Sequence, residues 1–152
     1  RLRPRRREGL TMAATTTPTA VDLTDYGNDI DTFVDGVPDL SDDVPVEGPL
    51  VVAQGVARRW TARRGAIFYA PETCTDALSY VNHDPTPAEL GRLEEALAKE
   101  ARAVAGVFRA SVTVTLGEDR KLTITGRLTT IGGSQMQVDI NEAGSVLITS
   151  QG

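Results

Sequence analysis

The groups best suited to chemistry are a thiol, an imidazole and two carboxylates that lie close together in the chain: Cys74, Asp76, His83 and Asp84. Nucleophilic catalysis by cysteine or serine needs a histidine base that an acid orients, and His83 is the sole histidine. No serine lies in a Gly-x-Ser-x-Gly elbow, and His83 lies in a polar link just before Pro85. We therefore interpret His83 as an exposed linker residue and Cys74 as a small buried thiol.

Carboxylates offer a second chemistry, because glycoside cleavage uses two of them. Glu94 and Glu95 are adjacent in a predicted helix and so point about 100° apart. With Asp84, they are the candidates for a hydrolase acting on cell-wall polysaccharide. Nothing in the sequence places either glutamate in an apolar pocket of the kind that raises the pKa of a general acid. Solvated helix surface is the preferred interpretation, and we expect no enzyme activity.

The sequence gives little support for a metal-binding site. One cysteine and one histidine exclude a Cys-cluster or multi-His zinc site within one chain. Asp29 and Asp31 alternate in an acidic, glycine-rich stretch that could suit calcium, but they lack the glycine and terminal glutamate of a calcium loop. Aspartates in such stretches usually form turns and caps. We expect no metal and no cofactor.

Length and charge restrict the class of protein. The 152 residues fit one domain, and aromatics make up only 5%, so the core must be built from Val, Leu, Ile and Ala. The net charge is −5. Residues 1–11 carry +4, which leaves −9 for the remainder and disfavours nucleic acid as a partner. No apolar run reaches the ~18–20 residues of a membrane span.

The N-terminal part divides into a tail and an acidic segment. Met12 looks like the translation start, so 1–11 is interpreted as an upstream extension; a basic arm for nucleic acid or a membrane surface is the alternative. We expect 1–20 to be disordered or extended and 21–152 to form a single domain. Over 12–48, nine acids punctuated by glycine and proline predict irregular structure.

Three helices are predicted next. The first starts at Pro49 and is followed by Gly65 as its C′ residue, with its apolar positions on one face. A short second helix runs from Thr73 or Thr75 to Val81. The third has Thr86 as its N-cap in a capping box and ends at Gly106.

Alternating residues predict an antiparallel β-meander after the helices, over 110–116, 122–128, 135–140 and 146–149. Helices followed by strands define an α+β fold. The last strand has no charge and no proline, which are the usual defences of a sheet edge. This pattern indicates that the edge is covered, either by a neighbouring segment of this chain or by another protein that adds a strand.

A resemblance to a known family rests on the stretch from Gly48 to Gly65, which reads GPLVVAQGVARRWTARRG. It resembles the signature helix of the small baseplate wedge proteins of contractile phage tails. Type VI secretion systems and extracellular injection particles carry relatives. The layout is similar over roughly 22–150, and the motif is specific over 48–81. Two departures are clear: 65–71 lacks the family's Glu-Pro-Arg motif, and Cys74 stands near a position that is often glycine.

The resemblance implies a structural, non-enzymatic adaptor whose sheet is similar to the strand-exchange domain of tail sheath subunits. Its expected partners are the tail sheath protein and other baseplate wedge and hub proteins, with tube or spike neighbours possible and with neither nucleic acid nor membrane. Its expected location is the virion baseplate, after assembly in the bacterial host cytoplasm. It would nucleate sheath assembly and relay contraction. Some relatives carry a lysozyme name, to which the residues above give no support.

Two interfaces follow as predictions. The strand-addition surface is assigned to the last two strands, at Val138, Ile140, Val146 and Ile148. The contact with wedge neighbours is assigned to Arg58, Arg59 and Trp60, because Arg and Trp are frequent at binding hot spots. A solvated helix end is the equal alternative for the arginines, and core packing is the alternative for Trp60. A cell-wall hydrolase and a free-standing acidic binding module are the rival functions.

Overall fold

The N-terminal segment forms two short antiparallel strand pairs. The computed structural model describes residues 26–30, 33–34, 37–38, 45–82 and 84–152. Strand β1 (Asn28–Ile30) pairs with β4 (Pro45–Glu47), and β2 (Phe33–Val34) pairs with β3 (Val37–Pro38). The expectation of irregular structure is wrong for these strands, which are too short to show a periodic pattern. The predicted tail 1–20 lies outside the described residues.

Helix α1 (Pro49–Thr61) begins at the predicted proline and buries its predicted apolar face. Val56, Ala57 and Trp60 are wholly buried in the core. The helix ends at Thr61 with Ala62 as its C-cap, so the prediction of Gly65 at the C′ position is wrong. The backbone of Ala62 is extended, and this ends the helix three residues before Gly65.

The predicted second α-helix is a 3₁₀ helix at Ala77–Asn82, so the described chain has two α-helices rather than three. Cys74 and Asp76 adopt positive φ angles of 79° and 49°, which an α-helix cannot include. The amide of Asp76 also donates to the carbonyl of Ala62, 3.2 Å away, at the end of α1. These contacts hold the segment in place and leave room only for a tight helix before the link to α2.

Helix α2 (Pro87–Arg102) has the predicted start. Thr86 accepts a hydrogen bond from the Glu89 amide at 3.3 Å, while the Glu89 carboxylate accepts one from the Thr86 amide at 2.7 Å. This reciprocal pair is the capping box. Leu93, Leu97 and Ala101 form the buried face. The helix ends at Arg102, short of the predicted Gly106.

The C-terminal half forms one antiparallel sheet, in which each strand pairs with the next along the chain. Its strands are β5 (Val107–Leu116), β6 (Leu122–Thr130), β7 (Gln135–Ile140) and β8 (Val146–Gln151). The predicted meander is therefore confirmed. Together with the two helices it makes the fold α+β.

The helices cover one face of this sheet, and the core lies between the two layers. Leu128, Val138 and Ile140 point into it from the strands. Trp60 lies against Gly126, where a Cβ atom would approach the ring to 2.1 Å. Its indole Nε1 donates to the carbonyl of Leu97 on α2 at 2.9 Å. One ring therefore joins α1, α2 and β6. The opposite, outer face of the sheet is polar and rich in threonine.

Candidate functional site

The outer edge of β8 is the candidate interaction site. The amide of Asn141 donates to the carbonyl of Ser145 at the start of the β7–β8 hairpin. Because hydrogen-bonded and non-hydrogen-bonded pairs alternate in an antiparallel ladder, the backbone groups of Val146, Ile148 and Ser150 point away from β7. In the described part of the chain no segment pairs with this side of β8. The edge thus presents a row of backbone donors and acceptors.

The side chains of β8 do not protect that edge. No residue of 146–151 is charged or a proline. Val146 is buried and Ile148 is half-buried against the helical layer, whereas Leu147 is 64% exposed on the outer face. An extended segment laid along this edge would gain backbone hydrogen bonds and apolar contacts on both faces.

The opposite edge of the sheet, formed by β5, is partly blocked by a side chain and by a bulge. A side-chain oxygen of Glu94 on α2 accepts a hydrogen bond from the amide of Val114 at 2.8 Å, and this amide points away from β6. The β5–β6 register is also broken between Val107 and Arg109, so Phe108 forms a bulge. Bulges and covering helices are two devices by which proteins block a sheet edge. The described sheet therefore has one engaged edge and one open edge.

The four residues predicted for strand addition occupy two kinds of position. Val138 and Ile140 lie on β7, which pairs with a neighbour on each side, and their side chains are buried. Val146 and Ile148 lie on β8, at the open edge. The backbone available to a partner is that of β8 alone, and the interface itself stays a prediction.

The residues predicted for neighbour contacts do not form one surface. Arg58 makes an ion pair with Asp29 of β1. Arg59 makes one with Glu100 of α2, at 3.2 Å. Trp60 faces the opposite way and is wholly buried. The two arginines therefore tie neighbouring elements to α1, while Trp60 belongs to the core.

A pair of exposed aromatic residues was missed by the sequence argument. Phe68 and Tyr69 are 89% and 78% exposed, with ring centroids 5.1 Å apart in an edge-to-face arrangement. Tyr69 borders a cavity of about 600 Å³ that also has Arg58, Arg59 and Val104 in its lining. Two adjacent aromatics between Gly65 and Pro71 were the available signal, because a loop seldom exposes large apolar side chains without a use.

The candidate catalytic acids serve structural contacts or lie on the surface. Glu94 holds the Val114 amide, and Glu95 is exposed on α2. Asp84 is exposed and makes an ion pair with Arg120. Cys74 is buried, as predicted.

The remaining candidates concern His83, metals and membranes. His83 lies outside the described residues, as does Asp31 of the calcium hypothesis. Within the described ranges, no three Asp, Glu, His or Cys side chains cluster closely enough to hold a metal ion. None of the helices in the described part of the chain is long and apolar enough to cross a bilayer.

No protein-family model matches the chain, and no curated protein matches its sequence.

Proposed function

We propose that this protein is a structural assembly adaptor, a baseplate wedge component of a contractile phage tail. It joins the inner baseplate to the first sheath ring by accepting a strand from a sheath subunit. In this role it nucleates sheath assembly and relays contraction. The proposal places the protein in the virion, with sheath, wedge and hub proteins as its partners.

The observation that carries the proposal is the difference between the two edges of the sheet. Glu94 and the bulge at Phe108 engage β5, whereas β8 presents three unprotected backbone positions. Long uncharged edges are normally blocked because they invite other strands. When one edge of a sheet is blocked and the opposite edge is open, the open edge is a typical binding surface for a partner strand.

The sequence of α1 supplies the second argument. The stretch that resembles the signature helix forms α1 and the turn after it, and α1 packs against α2 and the sheet. The exposed Phe68–Tyr69 pair follows directly and offers an apolar contact to a neighbouring wedge subunit. Aromatic anchors of this kind contribute much of the binding free energy of interfaces.

The test uses proline to remove single edge donors. Ile148 and Ser150 point their amides away from β7, so Ile148→Pro and Ser150→Pro leave the β7–β8 ladder intact. The matched control is Val112→Pro, because Val112 is also half-buried and its amide also points outward, but from β5. Each chain is co-expressed with the sheath and wedge proteins encoded beside it and purified by affinity.

We expect both β8 variants to reduce sheath recovery about tenfold, because one lost hydrogen bond and a displaced strand cost at least ~1.4 kcal/mol of binding. Val112→Pro should recover sheath like the wild type. Circular dichroism melts establish that each variant is folded, and Ser150→Pro has an exposed side chain and loses no core contact. Full recovery with folded Ser150→Pro and Ile148→Pro would refute strand addition at β8.

A further inference from the structure

The outer face of the sheet carries a concentrated positive site at one corner. A cavity of about 340 Å³ opens there, with side chains from all four strands in its lining. We call this set the arginine corner; its polar members are Arg109, Ser111, Arg127, Thr129, Gln135 and Gln151. Two are cations, four are neutral hydrogen-bond donors, and none is an acid.

The strand register places the two cations side by side. Arg109 lies opposite Thr129, and Arg127 lies opposite Ser111, so the two arginines are diagonal neighbours on one face of β5 and β6. Among the residues that the structure describes, neither arginine makes an ion pair. The nearest acid in this register is Asp139, two positions along, and it accepts a hydrogen bond from the Gln137 amide at 2.8 Å.

Two like charges side by side repel each other in the unliganded sheet. The repulsion is relieved when an anion lies between them, and guanidinium groups bind carboxylate and phosphate oxygens in a bidentate manner. Ser111, Thr129 and the two glutamines can supply further donors. We propose that the arginine corner is an oxyanion site that takes the carboxylates of an acidic protein segment.

The surroundings favour a protein segment over a nucleic acid. The residues that line this cavity include no aromatic side chain on which a base could stack. Nucleic-acid affinity rises with the number of phosphates that cations neutralise, and this corner offers only two cations. The arginine corner is a shallow, solvent-exposed site, so a ligand must make contacts over a wide polar area to bind it. An extended acidic segment can make such contacts with the threonine and glutamine side chains of neighbouring strands.

The inference is independent of the proposed function, because it concerns the outer face rather than the β8 edge. Binding of fluorescein-labelled hexa-aspartate to the full chain is measured by fluorescence polarisation. Hexa-asparagine is the uncharged control peptide, and inorganic phosphate is the competitor. The variants are Arg109→Gln, Arg127→Gln and Arg127→Lys. The matched control is Arg92→Gln, which removes the same charge from the exposed surface of α2.

We expect Arg109→Gln and Arg127→Gln each to weaken hexa-aspartate binding about tenfold. Arg127→Lys should give an intermediate loss, because lysine keeps the charge but not the bidentate geometry. Arg92→Gln should stay within about twofold of wild type. Melting temperatures should not fall in any of the four variants, and they should rise slightly in Arg109→Gln and Arg127→Gln, because each removes one of two like charges that repel each other.

Three results would overturn the proposal. The first is no binding of hexa-aspartate to the wild type. The second is an equal loss in Arg92→Gln, which would indicate attraction by overall charge. The third is complete competition by phosphate at the peptide's own concentration, which would make the ligand a phosphate instead.

Discussion

The contact between Trp60 and Gly126 leads to a sharp test of the core. A Cβ atom at Gly126 would lie 2.1 Å from Cη2 and 2.7 Å from Cζ3 of the indole. The ring cannot swing aside easily, because it is wholly buried and its Nε1 donates to the Leu97 carbonyl. Gly126→Ala therefore overpacks the junction of α1, α2 and β6.

The magnitude follows from two opposing effects. Overpacking costs about 1–3 kcal/mol, and a clash this close against a fixed ring belongs at the upper end. Replacing a strand glycine by alanine recovers about 0.5–1 kcal/mol. Gly126→Ala should thus lower the free energy of unfolding by about 2 kcal/mol. In a Trp60→Leu background the clash is gone, so the same change should stabilise by about 0.5–1 kcal/mol.

Urea unfolding of the four chains in this double-mutant cycle measures the coupling. With an m-value of ~2 kcal/mol/M, Gly126→Ala should move the wild-type midpoint down by about 1 M. Gly91→Ala is the control, because Gly91 has open space around it on the exposed side of α2. It should stabilise by about 1 kcal/mol. Equal effects of Gly126→Ala in both backgrounds would refute the packing argument and allow Trp60 a role outside the core.

Two further predictions concern a blocked edge and a turn. Glu94→Leu removes the acceptor of the Val114 amide; it should cost about 1–2 kcal/mol in urea unfolding and promote self-association in analytical ultracentrifugation, and a monomer of wild-type stability would contradict this role for Glu94. The backbone amide of Lys121, 3.2 Å away, lowers the pKa of Asp119 below the usual aspartate value. The stability that this carboxylate contributes is therefore present above the usual aspartate pKa and is lost as the pH falls through the lowered value. A carboxyl NMR titration that finds the Asp119 pKa at or above the usual value would refute it.

Local signals account for the elements that the sequence predicted well. The capping box of α2 involves Thr86 and Glu89, three positions apart, and needs no tertiary partner. The alternation in 110–116 and 135–140 likewise depends on neighbours in the chain. These features survive folding because packing reinforces them.

The sequence-based predictions fail where contacts between residues distant in the chain determine the local structure. The second helix failed because Asp76 has a left-handed backbone and donates to α1, which no local pattern encodes. Val138 and Val146 show the same alternation, yet one lies on a central strand and the other on an edge. Periodicity states which face a residue occupies, but not which strand lies beside it. The arginine corner is invisible for the same reason, since Arg109 and Arg127 meet only through the register.

The difference between the two sheet edges determines how further strands could add to the sheet. A sheet whose β5 edge is blocked and whose β8 edge is open can pair with one further strand only. Once a strand has added to β8, no open edge of this sheet remains. Any further strand must then add to the partner, so extension proceeds in one direction, away from this protein. The Glu94 contact with the Val114 amide and the bulge at Phe108 disfavour the stacking of copies edge to edge into a fibre. Under the proposed strand addition, this subunit would therefore set the starting point and polarity of an array and would not become one of its repeating units.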